Sequence, residues 1–269
     1  MDIDRYLRRI GIDVRPRPDL EGLRALHRAH LRAIPYENLD VQLGRPVTIE
    51  RKPTLEKILE RGRGGWCYEM NGTLGWALEA LGFNVTRLAG AVMREAFGDQ
   101  FAGNHLVLLV ELPEGLYFAD VGFGDGPLEP FRVAEGTFSC NGFDFNLGRL
   151  DETWWRLHNH PYGGAKSFDV TLAPADEAQL AGMCHRLQTE DWSPFVQNLV
   201  AQRHTPEGLV VLRGRVVRKV TPAGCTDRIL DNADELVRFL DEAFAIREPE
   251  AASLWPRICA RHETMFGGN

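Results

Sequence analysis

The sequence predicts an α+β protein in which helices come first and antiparallel strands follow. Apolar residues recur with a helical period through the first eighty residues. From about Phe83 to residue 175 they fall instead in short β-rich runs separated by Gly, Pro or Asp. The two kinds of segment come in blocks, followed by a mixed tail, which distinguishes α+β from alternating α/β.

The elements follow in chain order. DLEGLRALHRAHLRAI places Leu20, Leu23, Leu26, Ala29, Leu31 and Ile34 close to one helical stripe, and Pro35 closes it. TLEKILER, opening at Thr54, reads as a shorter helix. CYEMNGTLGWALEALGF puts Met70, Leu74, Ala77, Leu78 and Leu81 on one face, with Gly82 as its stop. NVTRLAGAVM, HLVLLVEL, LYFADVGF, TWWRLHN and SFDVTLAP read as strands of a meander or barrel. A mixed helical stretch around SPFVQNLVAQ and a hairpin, LVVLRGRVVRKV, come next. LVRFLDEAFAI reads as a last helix, with Asn232 and Glu235 placed as a capping box.

Composition narrows the function. With 44% hydrophobic and 26% charged residues in 269, the chain can bury a core like any globular protein. A net charge of -7 argues against broad nucleic-acid binding. MDIDRYLRRI has no apolar h-region, so no signal peptide is expected. No uncharged apolar run is long enough to span a membrane. Cys67, Cys140, Cys184, Cys225 and Cys259 are odd in number and scattered, as in a protein whose thiols stay reduced in the cytoplasm.

One cysteine stands apart. RGGWCYEMNG delivers Cys67 to what reads as the first turn of a helix. Unpaired N–H groups and the helix dipole favour a thiolate there, and a nearby histidine would too. Gly64 and Gly65 fit a sharp turn that leaves amides exposed, and those amides could hold an oxyanion. In NHLVLLVELPEGLYFADVGF, centring the turn between Pro113 and Glu114 sets Leu112 opposite Gly115 and Val107 opposite Asp120. His105 then lies on the same face as Asp120, diagonally across the hairpin and within reach of it. A one-residue slip would separate the two.

RGGWCYEMN, the HLVLLV strand, ADVGFG and the earlier IPYENL at Ile34–Leu39 together resemble the arylamine N-acetyltransferase family. The resemblance runs from about residue 5 to at least residue 200. It implies a papain-like cysteine-enzyme core: an N-terminal helical bundle (1–83), a central antiparallel β-barrel (84–188) and a C-terminal α/β lid (189–269). It implies a Cys67–His105–Asp120 triad and ping-pong acetyl transfer from acetyl-CoA to an arylamine or arylhydrazine, as in xenobiotic metabolism, with no metal. Tyr36, Val92, Asn104 and Phe123 are implied near the acceptor, and Gly124, Gly126 and Phe195 near coenzyme A. Many relatives carry phenylalanine where this chain has Tyr36. Glu37 and Arg63 are implied to form an ion pair that fixes the cysteine loop.

GFGDGP, Gly122 to Pro127, is neither a Walker A loop nor a dinucleotide fingerprint, but its amides can face a phosphate. HNH at His158 to His160 lacks partners at metal-ligand spacing. Arg213, Arg215, Arg218 and Lys219 make a basic hairpin that could meet the 3′-phosphate of coenzyme A, with a solvated strand face as the expectation. Two other functions use the same residues: a papain- or transglutaminase-like hydrolase, and a binding module with a degenerate site. The protease signature around the cysteine is missing, and no triad member is replaced.

Overall fold

A computed structural model describes residues 2–266. Two antiparallel sheets and a set of N-terminal helices share three apolar cores. The first core gathers the helices Ile3–Arg9, Leu20–Ala33 and Cys67–Ala80 against one face of the larger sheet. Cys67–Ala80 is buried almost all round, so its sides pack both on helices and on the strand His105–Leu112. The helix read from Thr54 begins earlier, at Arg51, and its second half, Glu56–Glu60, is wound as a π-helix.

The larger sheet has eight strands, in the order Phe131–Arg132, Gly115–Ala119, His105–Leu112, Asn84–Val92, Ser167–Thr171, Trp154–His158, Phe143–Arg149, Gly136–Cys140. Its two edge strands are joined by only residues 133–135, so the sheet must curl until its edges approach. Phe131 and Phe138, one from each edge, stack at 5.2 Å. The inside of the curl is the second core, lined by Leu88, Val107, Phe118, Phe145, Leu157 and Phe168. The hairpin register is the one read from its turn: Leu112 pairs with Gly115 and Leu108 with Ala119.

The smaller sheet pairs Val200–Thr205, Gly208–Arg213, Val216–Thr221 and Gly224–Ile229 in sequence, with Tyr36–Glu37 added at the Val200–Thr205 edge. The stretch SPFVQNLVAQ is thus a single helical turn, Pro194–Gln197, running into a strand. The helices Ala233–Phe244 and Trp255–Phe266 close the third core over this sheet. Asn232 accepts the Glu235 N–H at 2.9 Å, but the Glu235 carboxylate accepts from Asp231 rather than Asn232, so only half of the capping box forms. A further helix, Trp255–Phe266, follows the one read as last.

Candidate active site

Cys67 opens its helix at the floor of a cleft of about 1130 Å³ and is 3% exposed. The loop before it is set by close approaches. A Cβ on Gly64 would stand 1.8 Å from the Pro35 carbonyl oxygen, and one on Gly65 would stand 2.5 Å from the Glu69 carboxylate. The glycines are there because neighbours pass where side chains would begin. The Gly65 amide is not free for an oxyanion, because it donates to Pro35 at 3.3 Å, while the Gly65 carbonyl accepts the Glu37 N–H at 2.9 Å. The amides without an i−4 carbonyl are instead those of the helix's first turn, beginning at Cys67.

A sealed ionic cluster holds that loop. Arg63 donates to Glu37 at 2.9 Å and to Glu248 at 2.8 Å. Lys57 lies 3.0 Å from both Asp40 and Glu69, and Glu69 accepts the Trp66 N–H. Burial works against the Lys57 ammonium, but Glu69, Glu37 and Asp40 outweigh it and raise its pKa. The Glu37–Arg63 pair expected from sequence is present, as one edge of a larger network.

Across the cleft floor, His105 donates from Nε2 to Oδ2 of Asp120 at 2.7 Å, with both residues buried. That leaves Nδ1 to serve the Cys67 sulfur. Burial alone would discharge the ring. The Asp120 carboxylate, its hydrogen bond and the Cys67 sulfur prevail, and the pKa of His105 rises to about 10. Burial pushes Asp120 the other way, yet His105, Asn71 and the Gly122 amide hold its pKa low.

Asn71, one turn along the helix from Cys67, ties the parts together. Its amide donates to the Leu106 carbonyl at 2.5 Å and to Asp120 Oδ1 at 2.7 Å, and its oxygen accepts the Val121 N–H at 2.9 Å. Gly122 permits the contact, since a Cβ there would meet the Cys67 Cα at 2.7 Å.

The cleft walls include Tyr36, Val92, Asn104, Phe123 and Phe195. Asn104 presents little free polarity, because its side chain bonds both the N–H and the carbonyl of Val92. Its own carbonyl lies 3.8 Å from the Cys67 sulfur. Phe195 packs edge-on against Trp66 at 5.1 Å. Gly124 and Gly126 lie beside the wall rather than on it. The loop's lining residues are Gly122, Phe123 and Asp125, while Gln202 sits where a Gly124 side chain would start.

The basic hairpin is split. Arg213, Arg215 and Arg218 all line the cleft, joined by Arg257 and Arg261 from the last helix, but Arg218 is paired there with Asp227 at 2.7 Å. Arg213, Arg218 and Lys219 are exposed, which is the solvated face expected of them, and only Arg215 is half-buried, because the hairpin's turn packs beside the last helix. None of Arg213, Arg215, Arg257 and Arg261 has a carboxylate partner among the described residues. In HNH, His160 uses both ring nitrogens, Nε2 toward the Asp125 carbonyl and Nδ1 for the Tyr162 N–H. No described helix is long and apolar enough to cross a membrane.

A family model for N-acetyltransferase matches residues 19–251. The arylamine N-acetyltransferase of Mycolicibacterium smegmatis is 36% identical over 263 residues, covering 91% of this chain and 92% of its own. The chain belongs to the arylamine N-acetyltransferase family. A solved structure of the M. smegmatis protein superposes with a TM-score of 0.88 at 34% identity, covering 97% of this chain and 98% of its own. Mycobacterium marinum arylamine N-acetyltransferase in complex with CoA gives 0.86 at 30% identity, covering 98% and 99%.

Within this arylamine N-acetyltransferase fold, two side chains at the site escaped the sequence reading. Asn71 follows Cys67 at i+4 and so shares its helix face, a relation the helical period exposes. Lys57 gave a weaker signal, as one charge among several in a short helix.

Proposed function

We propose that this chain moves an acetyl group from acetyl-CoA to arylamines or arylhydrazines by a ping-pong mechanism, with Cys67 as nucleophile, His105 as acid and base, and Asp120 as the group that orients His105. The observation that carries this is a buried Cys67–His105–Asp120 array at the floor of an open cleft. Imidazolium beside the sulfur favours the thiolate. Cys67 attacks the thioester carbonyl, the carbonyl is restored as the coenzyme A sulfur leaves, and His105 gives that sulfur its proton. The acceptor amine then attacks acetyl-Cys67, His105 takes the amine's proton, and the Cys67 thiolate is released. Apolar walls at Val92, Phe123 and Phe195 keep water from the intermediate.

Arg213, Arg215, Arg257 and Arg261 suit a donor that carries phosphates, on a chain that is otherwise acidic. Gly124 and Gly126 contribute by letting the loop pass close to Gln202 and Phe123. We read residues 1–83, 84–188 and 189–269 as the three working parts, with Tyr36–Glu37 crossing into the third, and place the chemistry in the cytoplasm, where Cys67 stays reduced.

Mixing the protein with acetyl-CoA and following thiol release tests this. We expect sustained release only with an aromatic amine or hydrazine present, and none from Cys67→Ala. Steady release without acceptor would identify a hydrolase instead.

A further inference from the structure

Behind Asp120 sits a histidine that this chemistry does not use. His27 comes from the buried face of the helix Leu20–Ala33 and is 1% exposed. Its Nε2 accepts the Asp120 N–H at 3.1 Å, so the ring proton resides on Nδ1, which donates to the Leu128 carbonyl at 3.0 Å. One rigid ring therefore spans the two ends of the loop 120–128. We propose that His27 is a positioning residue for acetyl transfer: as a neutral ring in one tautomer, it fixes the main chain at Asp120 and so aims that carboxylate at His105. The proposal rests on the triad reading given above.

The side chain of Asp120 shows why its main chain must be held. Asn71 and the Gly122 N–H both engage Oδ1, leaving Oδ2 for His105. These bonds converge only if the backbone at residue 120 stays in place, and His27 is the group that pins its amide. Histidine suits the task because its neutral ring offers one acceptor and one donor, on the two ring nitrogens, with few rotatable bonds. A protonated ring would turn Nε2 into a donor facing another donor.

The surroundings keep it neutral. Burial lowers its pKa to about 4, against the pull of Asp120 and Glu129 and of its bonds to Leu128 and Asp120. His30 on the same helix and His204 on the strand Val200–Thr205 are neighbouring rings whose charging His27 opposes. One further histidine braces the same loop, His160 at the Asp125 carbonyl.

The test compares His27→Phe, which keeps ring volume and loses both bonds, with His27→Gln, whose amide oxygen can still accept the Asp120 N–H. Iodoacetamide alkylation of Cys67 across pH reads the thiolate, and steady-state kinetics separate kcat from KM. We expect His27→Phe to slow alkylation of Cys67 by up to about tenfold on the acid limb of its pH profile, with the same alkaline plateau. kcat should fall by about as much, with KM for acetyl-CoA held, and His27→Gln should recover most of both. If His27→Phe does not fold, His27→Asn, whose amide stops short of Asp120, takes its place.

A variant that loses stability but keeps the wild-type alkylation profile and kcat would overturn the proposal and leave His27 as packing. A wild-type thiol no more reactive than a model thiol would instead sink the triad, and this proposal with it.

Discussion

Two buried ionic clusters meet at the cysteine loop, and they differ in what they leave open. Around Lys57 and Arg63, three deeply buried carboxylates and the partly buried Glu248 are matched to three cations, the third being the half-buried Arg45, and nothing faces the cleft. Around His105, one carboxylate is spent on one ring, and the ring's other side faces a thiol that the cleft can reach. The first arrangement can only hold position. On the proposed mechanism, the second keeps a proton poised between an acid and a nucleophile, with the Cys67 sulfur as the reacting atom. Burial of charge is common to both, so burial does not mark chemistry here. The unsealed side does.

The largest expected effect is on the unsealed cluster. Asp120→Asn removes the charge that holds His105 protonated and should lower kcat by about 10⁴-fold, roughly 5 kcal/mol of barrier. Its urea midpoint should move far less. A loss of stability matching the loss of activity would place Asp120 with the structural cluster and erase the contrast.

Arg63→Ala probes the sealed side and should show the opposite pattern. It leaves Glu37 with only Lys57 at 3.9 Å as a cation, Asp40 with Lys57 and Arg45, and Glu248 with Arg45, at a cost of about 3 kcal/mol in unfolding free energy. The acetyl-transfer rate per folded molecule should fall much less. Unchanged stability and thiol reactivity would mean that the pair does not hold the cysteine loop.

A third set of buried ionisable groups stays uncharged, and acid should find it. Burial lowers His27 to about 4, and His30 and His204 to about 3. Each folded value lies below the ordinary 6.5, so the unfolded chain takes up protons first. Stability is then complete above pH 6.5 and is lost as pH falls from there toward 3. The slope is up to about 1.4 kcal/mol per pH unit for each ring. Burial pushes Glu69 up to about 7, so it takes up a proton in the folded chain over the same range and opposes this slope. Each ring's share is therefore read as the difference between the wild type and its His→Gln variant in denaturant midpoints from about pH 6.5 to 5. No difference in slope would show that the ring is not held neutral.

The sequence exposed local relations better than distant ones. The hairpin register placed His105 beside Asp120 because a two-residue turn fixes pairing within fifteen residues of chain. The helical period marked the buried face of Leu20–Ala33, although it did not flag His27 on that face. The hairpin Gly136–Cys140 and Phe143–Arg149 went unread despite its Asn141-Gly142 turn, where both residues have positive φ as such turns require. Pairing of Tyr36–Glu37 with Val200–Thr205 was out of reach, since a two-residue strand has no period and its partner lies more than 160 residues away. The arginines that converge on the cleft come from a hairpin and a helix whose contact no local pattern encodes.

The smallest effect sits where the two clusters come closest in sequence. Tyr36 and Glu37 are adjacent on the same edge strand, so their side chains point to opposite faces, Glu37 into the sealed cluster and Tyr36 into the cleft wall. Burial raises the pKa of Tyr36, with Cys67 adding to it, so the phenol stays protonated and can donate. Its hydroxyl has no hydrogen-bond partner among the described residues. Tyr36→Phe therefore removes a single neutral donor, worth about 1 kcal/mol, from the cleft without touching the network behind it. Fold stability should be unchanged. The change in kcat/KM should be about fivefold and depend on the acceptor: slower for anilines with a polar ring substituent that the phenol can reach, unchanged or faster for plain aniline. Equal slowing of all acceptors, with slower alkylation of Cys67, would mean that Tyr36 acts on the thiol rather than on acceptor choice, and that the wall and the reacting cluster are not separable at this strand.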